Sequence, residues 1–297
     1  MNRAIAVLLL ALVPMAGIAA GHRPHGKAAV AEVTKDGNPL VRSSAALVLD
    51  PTTGETLFAK NADQQAPIAS ITKLMTAMVV LDAKLPLDEP IEITKEDVDH
   101  VKNTTSRLPL GSHFRRDDLL RLALMASENR AASALGRTYP GGIDAFVAAM
   151  NEKAKALGLT QTHYVDSSGL SPENVSSPAD LGKLVAAASQ YEIIREYTTT
   201  PAVSVQLPDS RRKLSFINTN GLVRHSDWKI GLSKTGYINE AGKCLVMQAM
   251  IANQPVVIVL LDSWGRLTRI ADANRIRHWL ERNSERLLAT RATATPD

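Results

Sequence analysis

The chain has 297 residues, of which 45% are hydrophobic, enough to bury a sizeable core in one large domain or two small ones. Its net charge of +4 comes with only 4% aromatic residues and no dense Lys/Arg run, which argues against nucleic acid as a partner and suits an anionic extracellular polymer. A single cysteine, Cys244, excludes an intrachain disulfide framework, and the absence of any H-E-x-x-H or C-x-x-C spacing leaves a metal enzyme or metal cofactor without support.

Residues 1–20 have the pattern of a signal peptide: Asn2-Arg3, an apolar stretch over 4–13, then the small residues Gly17, Ala19 and Ala20. Cleavage is expected after Ala19 or Ala20, and the apolar part is too short for a comfortable membrane span, so an exported chain with at most peripheral membrane contact is predicted. Residues 21–42 are polar and read as a flexible N-terminal arm, with His22 and His25 as tail residues rather than ligands. Two strands follow, over 45–50 and 55–59, around the turn Pro51-Thr52-Thr53-Gly54.

Pro67-Ile68-Ala69-Ser70-Ile71-Thr72-Lys73 then leads into the apolar run Leu74-Met75-Thr76-Ala77-Met78-Val79-Val80-Leu81, a predicted helix. Further helices are predicted over 117–125, delivering Ser127-Glu128-Asn129 at its end, over 143–157, stopped by Gly158, and over 178–189. Asp166-Ser167-Ser168-Gly169-Leu170-Ser171-Pro172 is turn chemistry. Beyond residue 218 the period changes to strand: 228–237, 244–252, a turn at Asn253-Gln254-Pro255, and 256–261. Cys244, inside such a strand, reads as a buried structural thiol. Residues 268–288 form an amphipathic helix with Ile270, Ile276, Trp279, Leu280 and Leu287 broadly on one side, expected to dock on the sheet. The pattern predicts a mixed α/β (α+β) protein with one antiparallel sheet completed by both ends of the chain beside a helical insertion.

The chemistry gathers at Ser70 and Lys73. On a helix these positions share a face. A serine hydroxyl becomes nucleophilic when a neighbour removes its proton, and a lysine can do so once burial or another cation lowers its pKa. The same spacing at Ser226-Asp227-Trp228-Lys229 has no apolar helical run behind it and reads as a chance match. Ser127-Glu128-Asn129 (S-x-N) and Lys234-Thr235-Gly236 (K-T-G) accompany Ser70 in the order used by serine acyl-transferases that react with penicillin.

With Ser70-Ile71-Thr72-Lys73-Leu74-Met75-Thr76-Ala77-Met78, Ser127-Glu128-Asn129-Arg130-Ala131-Ala132, Tyr139-Pro140-Gly141-Gly142 and Lys234-Thr235-Gly236-Tyr237, the chain resembles the low-molecular-mass penicillin-binding proteins, serine D,D-peptidases of the bacterial cell wall. Within them it is most similar to the D-alanyl-D-alanine endopeptidase branch, of penicillin-binding protein 7 type. The resemblance implies a β-lactamase/penicillin-binding transpeptidase-like fold, an antiparallel sheet flanked by helices plus a helical subdomain, with residues 43–288 as the peptidase domain and 289–297 as a tail. It implies Ser70 as nucleophile, Lys73 as its base, Asn129 holding Lys73 and the substrate backbone, and Ser127 relaying a proton to the leaving amine. Lys234 and Thr235 of the K-T-G motif, with Gly236, would receive the carboxylate after the scissile bond, and the backbone N–H groups of Ser70 and Tyr237 would form the oxyanion hole. No cofactor is implied; the partners would be cross-linked stem peptides of peptidoglycan, with β-lactams as inhibitors, in the periplasm. A D,D-carboxypeptidase shares every motif but in its common form carries a further β domain and a C-terminal anchor, so the short stretch after K-T-G favours the endopeptidase. A class A-like β-lactamase needs a placed carboxylate for its water, whereas Asp166 resembles a structural turn of the peptidases. A non-catalytic penicillin-recognising sensor has no need of the intact proton-transfer residues.

Overall fold

The computed structural model describes residues 32–207, 212–265 and 267–293. The expected signal peptide and the first part of the arm, including His22 and His25, lie outside the described residues. Five strands form one antiparallel sheet in the order β2-β1-β11-β10-β9: β1 (Ala45–Leu49), β2 (Thr56–Lys60), β9 (Lys229–Ile238), β10 (Gly242–Ile251) and β11 (Gln254–Ser263). Both ends of the chain thus build one sheet, as the change of period predicts.

Why that sheet is central follows from β11. Its run Val256-Val257-Ile258-Val259-Leu260-Leu261 is apolar without alternation, because both faces are covered. Val256, Ile258 and Leu260 pack with Trp279, Ile276 and Ala273 of the last helix, α7 (Thr268–Thr293). Val257, Val259 and Leu261 face the helical side instead. The turn into β11 is tighter than expected: Ala252 and Asn253 both take positive φ, so the strand begins at Gln254 and Pro255 lies inside it.

The helical side fills the interval between β2 and β9. It holds β3 (Ala66–Pro67), α1 (Lys73–Asp82), β4 (Pro90–Glu92), β5 (His113–Arg115), α2 (Arg116–Met125), α3 (Asn129–Arg137), α4 (Gly142–Ala156), β6 (Val175–Ser176), α5 (Pro178–Ala188), α6 (Glu192–Thr199) and the hairpin β7 (Ala202–Gln206)–β8 (Lys213–Ile217). α5 begins as its sequence demands, with Pro178 in the first turn and the Ser177 hydroxyl accepting from Asp180 N. Every residue of α1 from Lys73 to Val80 is buried, so this helix is apolar all round and serves as the axle of the helical side.

Three details differ from expectation. Ser70 lies not in the helix itself but in a 3-10 turn, Ala69–Thr72, ahead of α1, while Pro67, at the entry, pairs with Val175 in β3. Residues 32–42, the described part of the arm, are docked on α7: Val33 bridges Pro39, and Arg42 N, Ser43 N and Ser43 Oγ all donate to the buried Asp272 carboxylate. The helix expected to stop at 288 continues to Thr293. No helix among the described residues is long and apolar enough to cross a membrane.

Asp272 also pairs with Arg275, so its removal strands several buried donors at once. Asp272→Ala should lower unfolding stability by about 3 kcal/mol in urea titration, whereas Asp272→Asn, which keeps an acceptor, should cost less.

Candidate active site

The site forms where the Ser70 turn is pressed against two glycines. Ala69, immediately before Ser70, takes a positive φ of 48°, an uncommon conformation for alanine. A Cβ on Gly169 would stand 2.0 Å from Ala69 O, and one on Gly236 would stand 3.2 Å from Ser70 N. Only glycine at both places lets the 166–171 turn and the K-T-G strand close on the serine from opposite sides.

Lys73 rises from the first turn of α1 and is fully buried. Its Nζ lies 2.8 Å from Ser70 Oγ, 2.8 Å from Asn129 Oδ1 and 2.6 Å from Ser168 O. None of these partners is a carboxylate. Burial therefore pulls the amine down to about 7, and the more distant charges of Asp166, Glu128 and Asp99 oppose that shift only in part.

Asn129 opens α3 and is braced from outside, where its Nδ2 donates to Thr104 Oγ1 at 2.9 Å. Thr104 is itself held by Asp99, whose carboxylate also caps Val101 N and Lys102 N. Glu128, between the two motif residues, points away: its carboxylate accepts from Ser106 Oγ, Arg107 N and Arg130 N. Ser127 takes φ 59°, a left-handed backbone between α2 and α3, and its hydroxyl meets the second amine of the site.

That amine is Lys234, buried in β9, with Nζ 2.9 Å from Ser127 Oγ and 2.9 Å from Thr235 O. Burial drives it well below the usual lysine range, helped by the charges of Lys73 and Arg269. Each amine thus faces one of the two motif serines. Thr235 Oγ1 donates to Thr219 Oγ1 at 2.7 Å, and Arg269 of α7 reaches beneath the strand to Gly236 O and Cys244 O. Tyr237 is 56% exposed.

Seven of the eight sequence-selected positions come together here, Ser70, Lys73, Ser127, Asn129, Lys234, Thr235 and Gly236, and Tyr237 follows Gly236 on β9 with its side chain turned to Asn239 and Lys243. Sequence reasoning missed Thr104, Thr219 and Arg269, none of which carries a local pattern, and read Gly169 only as part of a turn. The decoy stays apart, with Lys229 exposed at the start of β9. Cys244 is a free buried thiol pushed up to about 11 by desolvation, unsuited to nucleophilic work. Among the described residues no group of His, Cys, Asp and Glu could hold a metal.

Asp166, the acid with the strongest pull on Lys73, is the first to test as an activator of water. Its Oδ1 accepts from Ser168 N and Gly169 N, and its Oδ2 from Ser171 N and Asn174 Nδ2. The carboxylate is consumed in shaping the turn that carries Ser168 O and Gly169.

Residues 32–264 match the Peptidase_S11 family, described as D-alanyl-D-alanine carboxypeptidase. The chain is 50% identical over 250 residues to a D-alanyl-D-alanine endopeptidase of Pseudomonas aeruginosa, covering 83% of this chain and 81% of that one. It is 45% identical over 258 residues to a D-alanyl-D-alanine endopeptidase of Escherichia coli, covering 87% and 83%. Among solved structures, the Streptomyces K15 DD-transpeptidase superposes with a TM-score of 0.76 at 31% identity, covering 81% of this chain and 97% of that one. A buried amine on an accessible serine, a second amine on a second serine, and similarity of this extent lead to one conclusion: the chain belongs to the Peptidase_S11 family of serine D,D-peptidases, with their penicillin-binding fold.

Proposed function

We propose that this chain hydrolyses D-Ala–diamino acid cross-links of peptidoglycan through an acyl-enzyme on Ser70, and that β-lactams acylate the same serine. The observation that carries the serine chemistry is the contact of 2.8 Å between Ser70 Oγ and a Lys73 amine whose pKa burial brings to about 7. Ser70 Oγ attacks the D-Ala carbonyl carbon as Lys73 takes its proton. The N–H groups of Ser70 and Tyr237 hold the oxyanion, about 3 kcal/mol per donor. The C–N bond breaks as a proton passes through Ser127 to the leaving amine, which restores neutral Lys73. Water then adds to the acyl carbon, Lys73 accepts its proton, and Ser70 leaves with that proton as the acid is released.

Lys234 and Thr235 receive the carboxylate beside the scissile amide. An arriving anion reverses the repulsion that Lys73 and Arg269 exert on Lys234 and makes its ammonium the favoured form. The preference for cross-links rests on the two relatives above 40% identity, both named endopeptidases, which this chain spans over most of their length. The carboxypeptidase reading is favoured by the family's own description. The β-lactamase reading is disfavoured because Asp166 has no free oxygen aimed at an acyl carbon. Export by residues 1–20, a periplasmic location and a peptidase domain over 43–288 belong to the same proposal.

Penicillin should add once, to the tryptic peptide containing Ser70, and Ser70→Ala should abolish the adduct in mass spectrometry. An adduct at Ser226 would move the nucleophile elsewhere. The acylation rate should rise with pH through about 7, because the protonated amine below that value cannot accept the serine proton. Lys73→Arg, which keeps its proton, should acylate about a thousandfold slower. Offered separately at equal concentration, cross-linked dimers should be cut to monomers faster than pentapeptides lose D-Ala. Release of D-Ala with dimers untouched would make the chain a carboxypeptidase.

A further inference from the structure

The leaving side of the site continues into the β7–β8 hairpin through Thr219. Its hydroxyl accepts from Thr235 Oγ1 at 2.7 Å, and its N–H donates at 3.0 Å to Met125 O, two residues before Ser127. Thr219 thus joins the proposed carboxylate cradle to the turn that carries the proton-donating serine. Upstream of it the chain alternates without a break: Leu214, Phe216 and Asn218 are buried, whereas Lys213, Ser215, Ile217 and Thr219 are exposed. A period of two puts those four on one face, successive members about 7 Å apart. Antiparallel pairing with β7 widens the face, setting Ala202 opposite Ile217 and Ser204 opposite Ser215, whose hydroxyls meet at 3.0 Å. The inner face is spoken for, since Val205, Leu214 and Phe216 join the core and the Arg107 guanidinium lies 4.0 Å over the Phe216 ring. The outer face is open, and Ile217 on it is 60% exposed.

We infer that this outer face is the subsite for the second stem peptide of a cross-linked substrate, the half that leaves with the amine, and that Ile217 is its specificity-determining contact. The inference deepens, and rests on, the endopeptidase reading. Its direction follows from the proposed chemistry: the leaving amine takes its proton from Ser127, and the carboxylate beside that amine sits against Lys234 and Thr235. Thr219 bonds to Thr235 and to the end of the helix before Ser127, so the hairpin face begins where the leaving half emerges. A terminal D-Ala ends in the cradle with a methyl group and has nothing to lay along β8. A diamino acid carries on from its D-centre as a chain of methylenes, and an exposed isoleucine side chain is the surface such a chain can dry. Beyond it, the Ser204 and Ser215 hydroxyls offer hydrogen bonds to stem amides, and Lys213 brings a positive charge to stem carboxylates. Contact made only by the longer substrate favours cross-links without changing reaction at Ser70.

The experiment uses the full chain and three substrates: a fluorescent penicillin, a pentapeptide monomer and a soluble cross-linked dimer. Two variants are compared, Ile217→Val and Ile217→Thr, which share shape and strand preference and differ by a methyl against a hydroxyl. Ile217→Thr should lower kcat/KM for dimers about fivefold, mainly through KM, the order expected for one lost apolar contact. Ile217→Val should stay within about twofold of wild type on dimers, and both variants within about twofold in penicillin acylation and D-Ala release. An unchanged kcat/KM for dimers in Ile217→Thr overturns the inference while leaving the endopeptidase reading intact. An equal loss on all three substrates also overturns it, because Ile217 then only keeps Thr219 and the cradle in shape. So does a loss seen on intact wall but not on soluble dimers, which assigns the face to glycan. If wild type releases D-Ala yet leaves dimers uncut, the endopeptidase reading fails and the assignment of the hairpin falls with it.

Discussion

A buried lysine without a carboxylate partner is the constraint on which the structure depends. Lys73 has no accessible surface, and its three partners are a hydroxyl, an amide oxygen and a backbone carbonyl. Such a set can accept every ammonium proton but offers no counter-charge, so burial still favours the neutral amine. Maintaining it requires that α1 be sealed on all sides, that Ser168 O be aimed inward, and that nearby acids be spoken for. Glu128, Asp99 and Asp166 each give their oxygens to backbone N–H groups, so their charges act at a distance and none forms an ion pair with Lys73. Replacing any of those caps would free a carboxylate to move toward the amine and lock its proton in place.

The second amine makes the arrangement a matched pair. Lys73 faces Ser70 and Lys234 faces Ser127, both amines inaccessible and both serines partly open. Burial, and then mutual repulsion with Arg269 adding its charge under the strand, disfavours charging the two amines together. A ligand carboxylate supplies the negative charge that the protein withholds. Electrostatic economy of this sort explains why the cleft can select an anionic group without offering a salt bridge of its own to compete with it.

How much of this was legible in the sequence differs by level. The sheet was readable because β11 is a continuous apolar run and β9 to β11 are joined by short turns. The residues of the site were readable because proton transfer restricts residue type at fixed spacing, as in Ser70 and Lys73. What stayed hidden is tertiary. Asn129–Arg137 was not read as a helix although it is Ala-rich and capped by Glu128; its close seating, with Gly136 against Ser167 and Ile143, is tertiary. α6 and the β7–β8 hairpin were likewise missed: their periodic patterns are present but only five to eight residues long. Thr104 and Thr219 serve the site from the far ends of loops, and Gly169 matters only because Ala69 O comes to meet it. Residues 32–42 read as an arm by composition, yet one buried acid on the last helix, Asp272, fastens their end.

The K-T-G strand is also the edge of its sheet, with a strand neighbour on one side only. An unpaired edge is the usual seed of aggregation, and proteins blunt it with cover or charge. Here the Ser70 turn and α6 lie against β9, a partial cover made of side chains and a helix rather than a further strand. An extended peptide brings backbone groups of its own and can dock where a sixth strand would have been. Recognition by main chain is indifferent to side-chain identity, a fitting property for a polymer whose residues alternate in handedness. The same openness sets a limit on solubility: any substitution that flattens or greases this edge trades substrate for a second copy of the protein.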